Sequence, residues 1–280
     1  MQLRKVTAAS AAVLALALTA TACGSEKEEG KAGSGGGEKI TIGIKIDQPG
    51  IGLKTPDGKY TGFDVDVATY VAKELGYEAG DIVFKETKSA DRETAIDRGD
   101  VKFIAASYSI NDERLQKVDF AGPYLLAHQD ILVRADDDSI KSPEDLNSKK
   151  LCSVTGSTSA SNVKEKLAPK AQLQEYGGYS ECLTGLENKV IDALTTDDSI
   201  LAGFAAQEQF QGKFKLAGFK MSNENYGIGL KKGDADLKKK IDAALTKMVA
   251  DGAWDKAVAD NFGPANYKNE PAPKIGNVVK

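Results

Sequence analysis

From Ile40 onward the chain alternates short apolar runs with amphipathic stretches, and no other feature of its 280 residues constrains the fold as much. Ile40-Thr41-Ile42-Gly43-Ile44-Lys45-Ile46 places isoleucine at every even position, the period of a strand. Gly62 to Leu75 carries Val67, Val71 and Leu75 on one helical face and stops at Gly76. Ile82-Val83-Phe84 reads as strand, Asp91 to Arg98 as helix and Val101 to Ala106 as strand. The order βαβαβ specifies a parallel sheet covered by helices. After an extended Ile131-Leu132-Val133, a second such unit begins at Ser142-Pro143, a helix N-cap followed by proline. Its strands are Leu151 to Val154, Gln172 to Gln174 and Ala193 to Thr195, and its helices Ser159 to Leu167, Ser180 to Lys189 and Ile200 to Gln207. The strand Tyr226 to Leu230 and two helices, Ala235 to Asp251 and Trp254 to Asn261, then complete the first unit. The expectation is an α/β fold of two lobes with the second inserted in the first. Residues 40–130 and 225–268 form one lobe, 131–224 the other, and 269–280 a C-terminal tail. Lobes of this kind hold ligands between them, at the carboxyl ends of their strands.

The first 23 residues read as an export leader: Arg4 and Lys5, then an apolar stretch from Val6 to Ala22 that is short for a membrane span. Ala20-Thr21-Ala22-Cys23-Gly24 resembles a lipobox, which makes Cys23 the expected lipidated N-terminus of a protein held at the outer face of a membrane. Residues 24–39 are almost devoid of apolar side chains and read as a flexible tether reaching roughly 20 Å. In that oxidising setting Cys152 and Cys182 are expected to pair, the alternative being two buried thiols. A net charge of −4 argues against nucleic acid. One histidine and three cysteines leave too few ligands for a His-rich or Cys₄ metal site, and neither a metal nor a cofactor is expected. No histidine–nucleophile pair is apparent, and His128 and Trp254 read as structural.

Three local choices are poor for folding alone. Arg114 lies in the first turn of a short helix capped by Asn111, at the positive end of the helix dipole. It either pairs with Asp112, Glu113 or Asp119 at the surface, or clamps a ligand carboxylate with its planar fork. Val154-Thr155-Gly156-Ser157-Thr158-Ser159 is a small-residue turn, either a plain helix start or an anion cradle of free N–H groups; it lacks the nucleotide P-loop pattern. Lys45, near the end of an isoleucine strand, either snorkels to water or stands at the ligand edge of the sheet. Asp197 and Asp198 follow the strand Ala193 to Thr195, where one of them can cap a helix.

These residues resemble the family 3 extracellular solute-binding proteins, which deliver polar amino acids to ABC importers and have a two-lobed, type II periplasmic-binding-protein-like fold. The resemblance runs from about Ile40 to Phe262 and is carried by Gly62-Phe63-Asp64-Val65-Asp66-Val67, by Ser107-Tyr108-Ser109-Ile110-Asn111-Asp112-Glu113-Arg114, by Val118 to Tyr124, by Gly156-Ser157-Thr158-Ser159 and by Ile191 to Asp197. It implies that Arg114 holds an α-carboxylate with Ser109 and the N–H groups of Ser157 and Thr158, and that Asp197 and Ser107 receive the α-ammonium. The chain is most similar to glutamate-binding lipoproteins, with Lys45, Ser89 and Arg92 where a side-chain carboxylate is met. The implied partners are L-glutamate or a similar acidic amino acid, importer membrane subunits, and a membrane through the lipid anchor, for a monomeric chain. The competing class is a cyclohexadienyl (prephenate or arogenate) dehydratase on the same fold, which needs a general acid at the leaving group.

Overall fold

The computed structural model describes residues 38–280. The expected leader, the expected lipidation site Cys23 and all but the last two residues of the expected tether lie outside the described residues. The isoleucine strand becomes β1 (Ile40–Ile44), with Ile40, Ile42 and Ile44 buried. It ends two residues earlier than the alternation predicts, because the chain turns at Lys45 into a small sheet of β2 (Asp47–Gln48), β3 (Gly52–Lys54) and β4 (Tyr60–Thr61). Helix α1 (Phe63–Glu74) follows, then β5 (Ile82–Glu86), α2 (Arg92–Asp97), β6 (Phe103–Ile104) and α3 (Asp112–Lys117).

The largest departure from the sequence reading is β7, which runs unbroken from Val118 to Arg134. Pro123 in its middle has no N–H to give a ladder, and the opposing strand shifts register between Tyr226 and Ile228 across from it. That irregularity hides the strand from a pattern search. After β7 come β8 (Lys150–Val154), α4 (Thr158–Asn162), β9 (Gln172–Tyr176), α5 (Tyr179–Glu187), β10 (Ala193–Asp197), α6 (Asp198–Ala205) and β11 (Phe214–Leu216). The chain closes with β12 (Asn223–Lys231), α7 (Ala235–Ala250) and α8 (Ala253–Phe262).

β1 lies between β5 and β6 and is parallel to both, and β8 runs parallel to β9 and β10, as the alternation implies. The sheets are nonetheless mixed. β12 runs antiparallel to β7 from Lys231 opposite Val118 to Asn223 opposite His128, and β10 then takes over from Asp197 opposite Gln129. β7 is thus shared by two halves of an α/β fold of the two-lobed, type II kind. One core gathers Ile42, Phe103, Val71, Ile241 and Trp254, and another Ile131, Val133, Leu151 and Ala193. Cys152 and Cys182 are disulfide-bonded, tying β8 to α5 with their Cα atoms 5.7 Å apart.

His128 and Trp254 have structural partners. The indole N–H donates to the Tyr124 carbonyl at 2.8 Å, and His128 Nε2 meets Glu270 at 3.1 Å. The C-terminal residues lie along the β7–β12 crossing: the Gly276 N–H donates to the Gly122 carbonyl, and Asn225 bonds Val279 through both its amide N–H and its carbonyl oxygen. Among the described residues no helix is long and apolar enough to cross a membrane.

Candidate functional site

The first wall of the site is basic. Asn111 Oδ1 accepts the Arg114 N–H at 2.9 Å, the N-cap that starts α3 and turns the arginine inward. The side chain is buried, donating from Nη1 to the Ser109 carbonyl at 2.7 Å and from Nη2 to the Gly156 carbonyl at 3.0 Å. Its nearest carboxylate is Glu93, at 3.8 Å from Nε, while Glu113 pairs with Lys117 and Asp119 with Lys232. The surface-pair alternative for Arg114 is therefore excluded. Arg92, 1% exposed at the start of α2, donates to the carbonyls of Ser89, Ala106, Ser107 and Gly156. Both guanidinium groups stack on the Tyr108 ring, at 4.1 Å for Arg92 and 5.0 Å for Arg114. Lys45 does not snorkel. It is 5% exposed and donates from Nζ to Ser89 Oγ at 2.8 Å. Burial, reinforced by the Arg92 charge, holds its ammonium well below the usual lysine range.

Facing these cations is a wall built from the strand ends of the second half. Ser157 is the N-cap of α4, its Oγ accepting the Ala160 N–H at 3.1 Å. Asp197 ends β10; the Tyr226 hydroxyl donates to Oδ2 at 2.5 Å, and Oδ1 is buried with no hydrogen-bond partner among the described residues. Burial and then the charge of Glu224 push this carboxyl well above its usual range. Asp198, the alternative capping residue, accepts the N–H groups of His128 and Ser199 instead. Glu224 accepts from the Thr158 hydroxyl at 2.8 Å, so the side chain of Thr158 is engaged away from the turn. Ser107 sits at φ 44°, a left-handed conformation uncommon for serine. It is held there by its N–H donating to Asp64 Oδ2 at 2.6 Å, while Tyr124 donates to Oδ1 at 2.7 Å. Burial raises the Asp64 carboxyl to about 6 despite both bonds.

Ser89, Arg92, Ser107, Arg114, Ser157, Thr158 and Asp197 line one enclosed pocket of about 10 Å³, together with Ser159, Tyr179 and Ile200. That is room for a water-sized body, so an amino acid enters only when the two walls part. Lys45 stands behind Ser89. Ser109, like Lys45, does not line the pocket: Ser109 lines an adjoining open groove of about 1160 Å³ that shares Ser89, Arg114, Ser157 and Thr158 with it, and its part at the pocket is the carbonyl that holds Arg114. Sequence reasoning missed Tyr179, Ser159 and Ile200 as lining residues, and Asp64, Tyr108 and Glu224 as their supports. The first three lie in the first helical turns after a strand, where a ligand-facing position was legible. The supports reveal themselves only through contacts distant in sequence. Among the described residues no cluster of His, Cys, Asp and Glu is placed to hold a metal ion.

Residues 40–264 match the model of the bacterial extracellular solute-binding proteins, family 3. The chain is 47% identical over 273 residues to the glutamate-binding protein GluB of Corynebacterium efficiens, covering 94% of this chain and 92% of that protein. It is 40% identical over 221 residues to the glutamine-binding protein GlnH of an ABC transporter in Bacillus subtilis, covering 78% and 79%. An ancestral arginine-binding protein solved with arginine superposes with a TM-score of 0.75 at 35% identity, over 80% of this chain and 98% of that one. Matched along most of its length by both family and fold, the chain belongs to the family 3 bacterial extracellular solute-binding proteins.

Proposed function

We propose that the protein captures an acidic L-amino acid, foremost L-glutamate, and hands it to an ABC importer, anchored outside the membrane through Cys23 as a monomer. In this reading the lobes divide at 130/131 and 224/225. Arg114 grips the α-carboxylate with the N–H groups of Ser157 and Thr158, aided by Ser109. Asp197 and Ser107 receive the α-ammonium. Lys45, Arg92 and Ser89 meet the side-chain carboxylate.

One observation carries the choice of ligand: two buried guanidinium groups, Arg92 and Arg114, line a pocket whose one lining carboxylate is Asp197, and the buried Lys45 ammonium stands one hydrogen bond behind it, at Ser89. Buried charges of which only Arg114 has a carboxylate within 4.0 Å among the described residues, Glu93 at 3.8 Å, are costly. A ligand with two carboxylates and one ammonium complements them in sign, one carboxylate for Arg114, the other shared by Lys45 and Arg92, and the ammonium for Asp197. The unpartnered Asp197 Oδ1 supports the ammonium assignment in the same way. A basic amino acid would add a cation to an already cationic wall, and glutamine would leave one cation unpaired, losing on the order of 2–4 kcal/mol against glutamate.

The test is a thermal-shift panel of the twenty L-amino acids. Glutamate is expected to give the largest stabilisation, with aspartate or glutamine next; a larger shift with arginine, lysine or an apolar amino acid refutes the reading. The dehydratase alternative has one observation in its favour, since a carboxyl pushed toward protonation, as Asp197 is, can serve as a general acid. Incubation with prephenate or arogenate separates the two: a binder leaves both unchanged.

A further inference from the structure

Glycine in the middle of a helix is a poor choice unless something needs the missing side chain. Gly203 lies inside α6, after Ile200, Leu201 and Ala202 and before Phe204. What needs the space is the opposite half of the molecule. A Cβ at position 203 would stand 2.0 Å from the carbonyl oxygen of Pro49 and 3.0 Å from its carbonyl carbon, more than about 1 Å short of ordinary non-bonded contact.

The Pro49 loop cannot step aside. Proline fixes its own φ, and the next two carbonyls, of Gly50 and Ile51, accept the Phe63 and Asp64 N–H groups that open α1. The Gln48 side chain accepts the Ser107 hydroxyl on the pocket wall. Two residues before Pro49, Asp47 reaches the same opposing half, its Oδ2 accepting the Tyr179 N–H at the start of α5 at 2.9 Å. Gly178 leaves room for that carboxylate, since a Cβ there would lie 2.7 Å from Oδ2.

We propose that the Asp47–Pro49 loop is the closure latch of this protein: it seats against Gly203 and caps α5 when the lobes shut, and the closeness of that seat sets how long a ligand is held. Gly203 is thereby a positioning residue for retention and touches no ligand. The proposal rests on the two-lobed amino-acid-binding reading but not on which amino acid is bound.

The test compares wild type with Gly203→Ala, using as probe whichever of the twenty L-amino acids stabilises wild type most. Ligand-free Gly203→Ala should melt no lower than wild type, because alanine is the better helix former. Its dissociation constant for the probe should rise about tenfold or more, since hydrogen bonds across the cleft weaken steeply when stretched by an ångström. The rise should come from faster dissociation at an unchanged association rate, and small-angle scattering should show less compaction on saturation than in wild type. Asp47→Ala adds no atoms and guards against a folding failure. It should release the probe about three- to tenfold faster, while Asp47→Asn, which keeps an acceptor for the Tyr179 N–H, stays near wild type. Wild-type dissociation and compaction in Gly203→Ala, or wild-type dissociation in Asp47→Ala, overturns the latch. A wild-type probe other than glutamate overturns only the choice of ligand.

Discussion

Lys45→Met removes one ammonium from the pocket and keeps most of the stem's volume. In the structure Nζ has a single side-chain hydrogen bond, to Ser89 Oγ at 2.8 Å, and the residue is 5% exposed, so a ligand carboxylate would meet it with little water between them. A charge-assisted hydrogen bond in such a place contributes about 2–3 kcal/mol. The higher figures known for buried charge pairs do not apply, because burial and Arg92 hold the ammonium below its usual pKa and part of the attraction is spent recharging it. The dissociation constant for glutamate should therefore rise about thirty- to 150-fold. Glutamine has no charge to pair and should change by less than about fivefold, so the preference between them collapses. The pH dependence follows from the same group. A bound carboxylate raises the Lys45 pKa above its ligand-free value, so glutamate binding takes up a proton between the two values, and affinity falls as pH rises through the ligand-free one. Asp197, pushed up in the free protein, loses its proton to solvent when an ammonium arrives beside it and contributes the opposite sign, but equally in wild type and variant. Calorimetry with both ligands in buffers of different ionisation enthalpy isolates the Lys45 share as the difference. If Lys45→Met still selects glutamate over glutamine by the wild-type factor, or exchanges the same number of protons, the assignment of Lys45 is wrong.

Arg114→Lys keeps a charge but reaches only one of the two carbonyls, of Ser109 and Gly156, that orient the fork; every amino acid in the panel should weaken together by about tenfold or more with rank order preserved, and unchanged calorimetric affinities would count against the clamp. Replacing both Cys152 and Cys182 by serine opens a loop with a sequence separation of 30, at a cost of about 3–4 kcal/mol; the melting temperature should drop by about 6–15 °C, and a melt within two degrees of wild type refutes this. Asp64, raised to about 6 in the fold against about 3.9 unfolded, binds more protons in the native state than in the unfolded one across that window. Its contribution to stability is full below pH ~4 and is lost as pH rises through 6, by up to about 3 kcal/mol; urea melts at intervals over that range should show the decline in wild type and not in Asp64→Asn, and parallel curves for the two would sink the assignment.

The alternation of strand and helix was legible because each short element carries its own period: β1 through its isoleucines, α1 through Val67 and Val71, α5 and α7 through their apolar faces. What escaped was set by partners far along the chain. β7 escaped because Pro123 interrupts its reading, whereas the register of β12 accommodates it. The β2–β4 sheet escaped because strands of two and three residues have no measurable period. At the site, Lys45 and Arg114 stood out as charges in places where folding alone does not want them, whereas Arg92 was pointed to only by the family resemblance; all three are buried. Tyr108 and Asp64 had no such anomaly. An aromatic beside a strand and an aspartate in a helix's first turn are ordinary in sequence, and only the fold puts the first under two guanidinium groups and the second against the Ser107 N–H.

The same geometry indicates how ligand binding and closure are coupled. The Gly156 carbonyl oxygen accepts from Nη2 of Arg114 at 3.0 Å and from Nη2 of Arg92 at 3.5 Å, so one neutral acceptor on the far wall serves two buried cations. A carbonyl offers two lone pairs and no formal charge, whereas a carboxylate offers about four lone-pair sites and a full charge in the plane an arginine fork prefers. The closed contact made by protein atoms alone is thus a weaker version of the one a carboxylate ligand makes. A ligand need not create the closed arrangement; it replaces a poor acceptor by a better one and shifts an existing equilibrium toward closure. On the proposed assignment of Lys45 and Arg92, discrimination arises within that shift, because a ligand that leaves either short of a charge gives back part of the free energy that holds the lobes together.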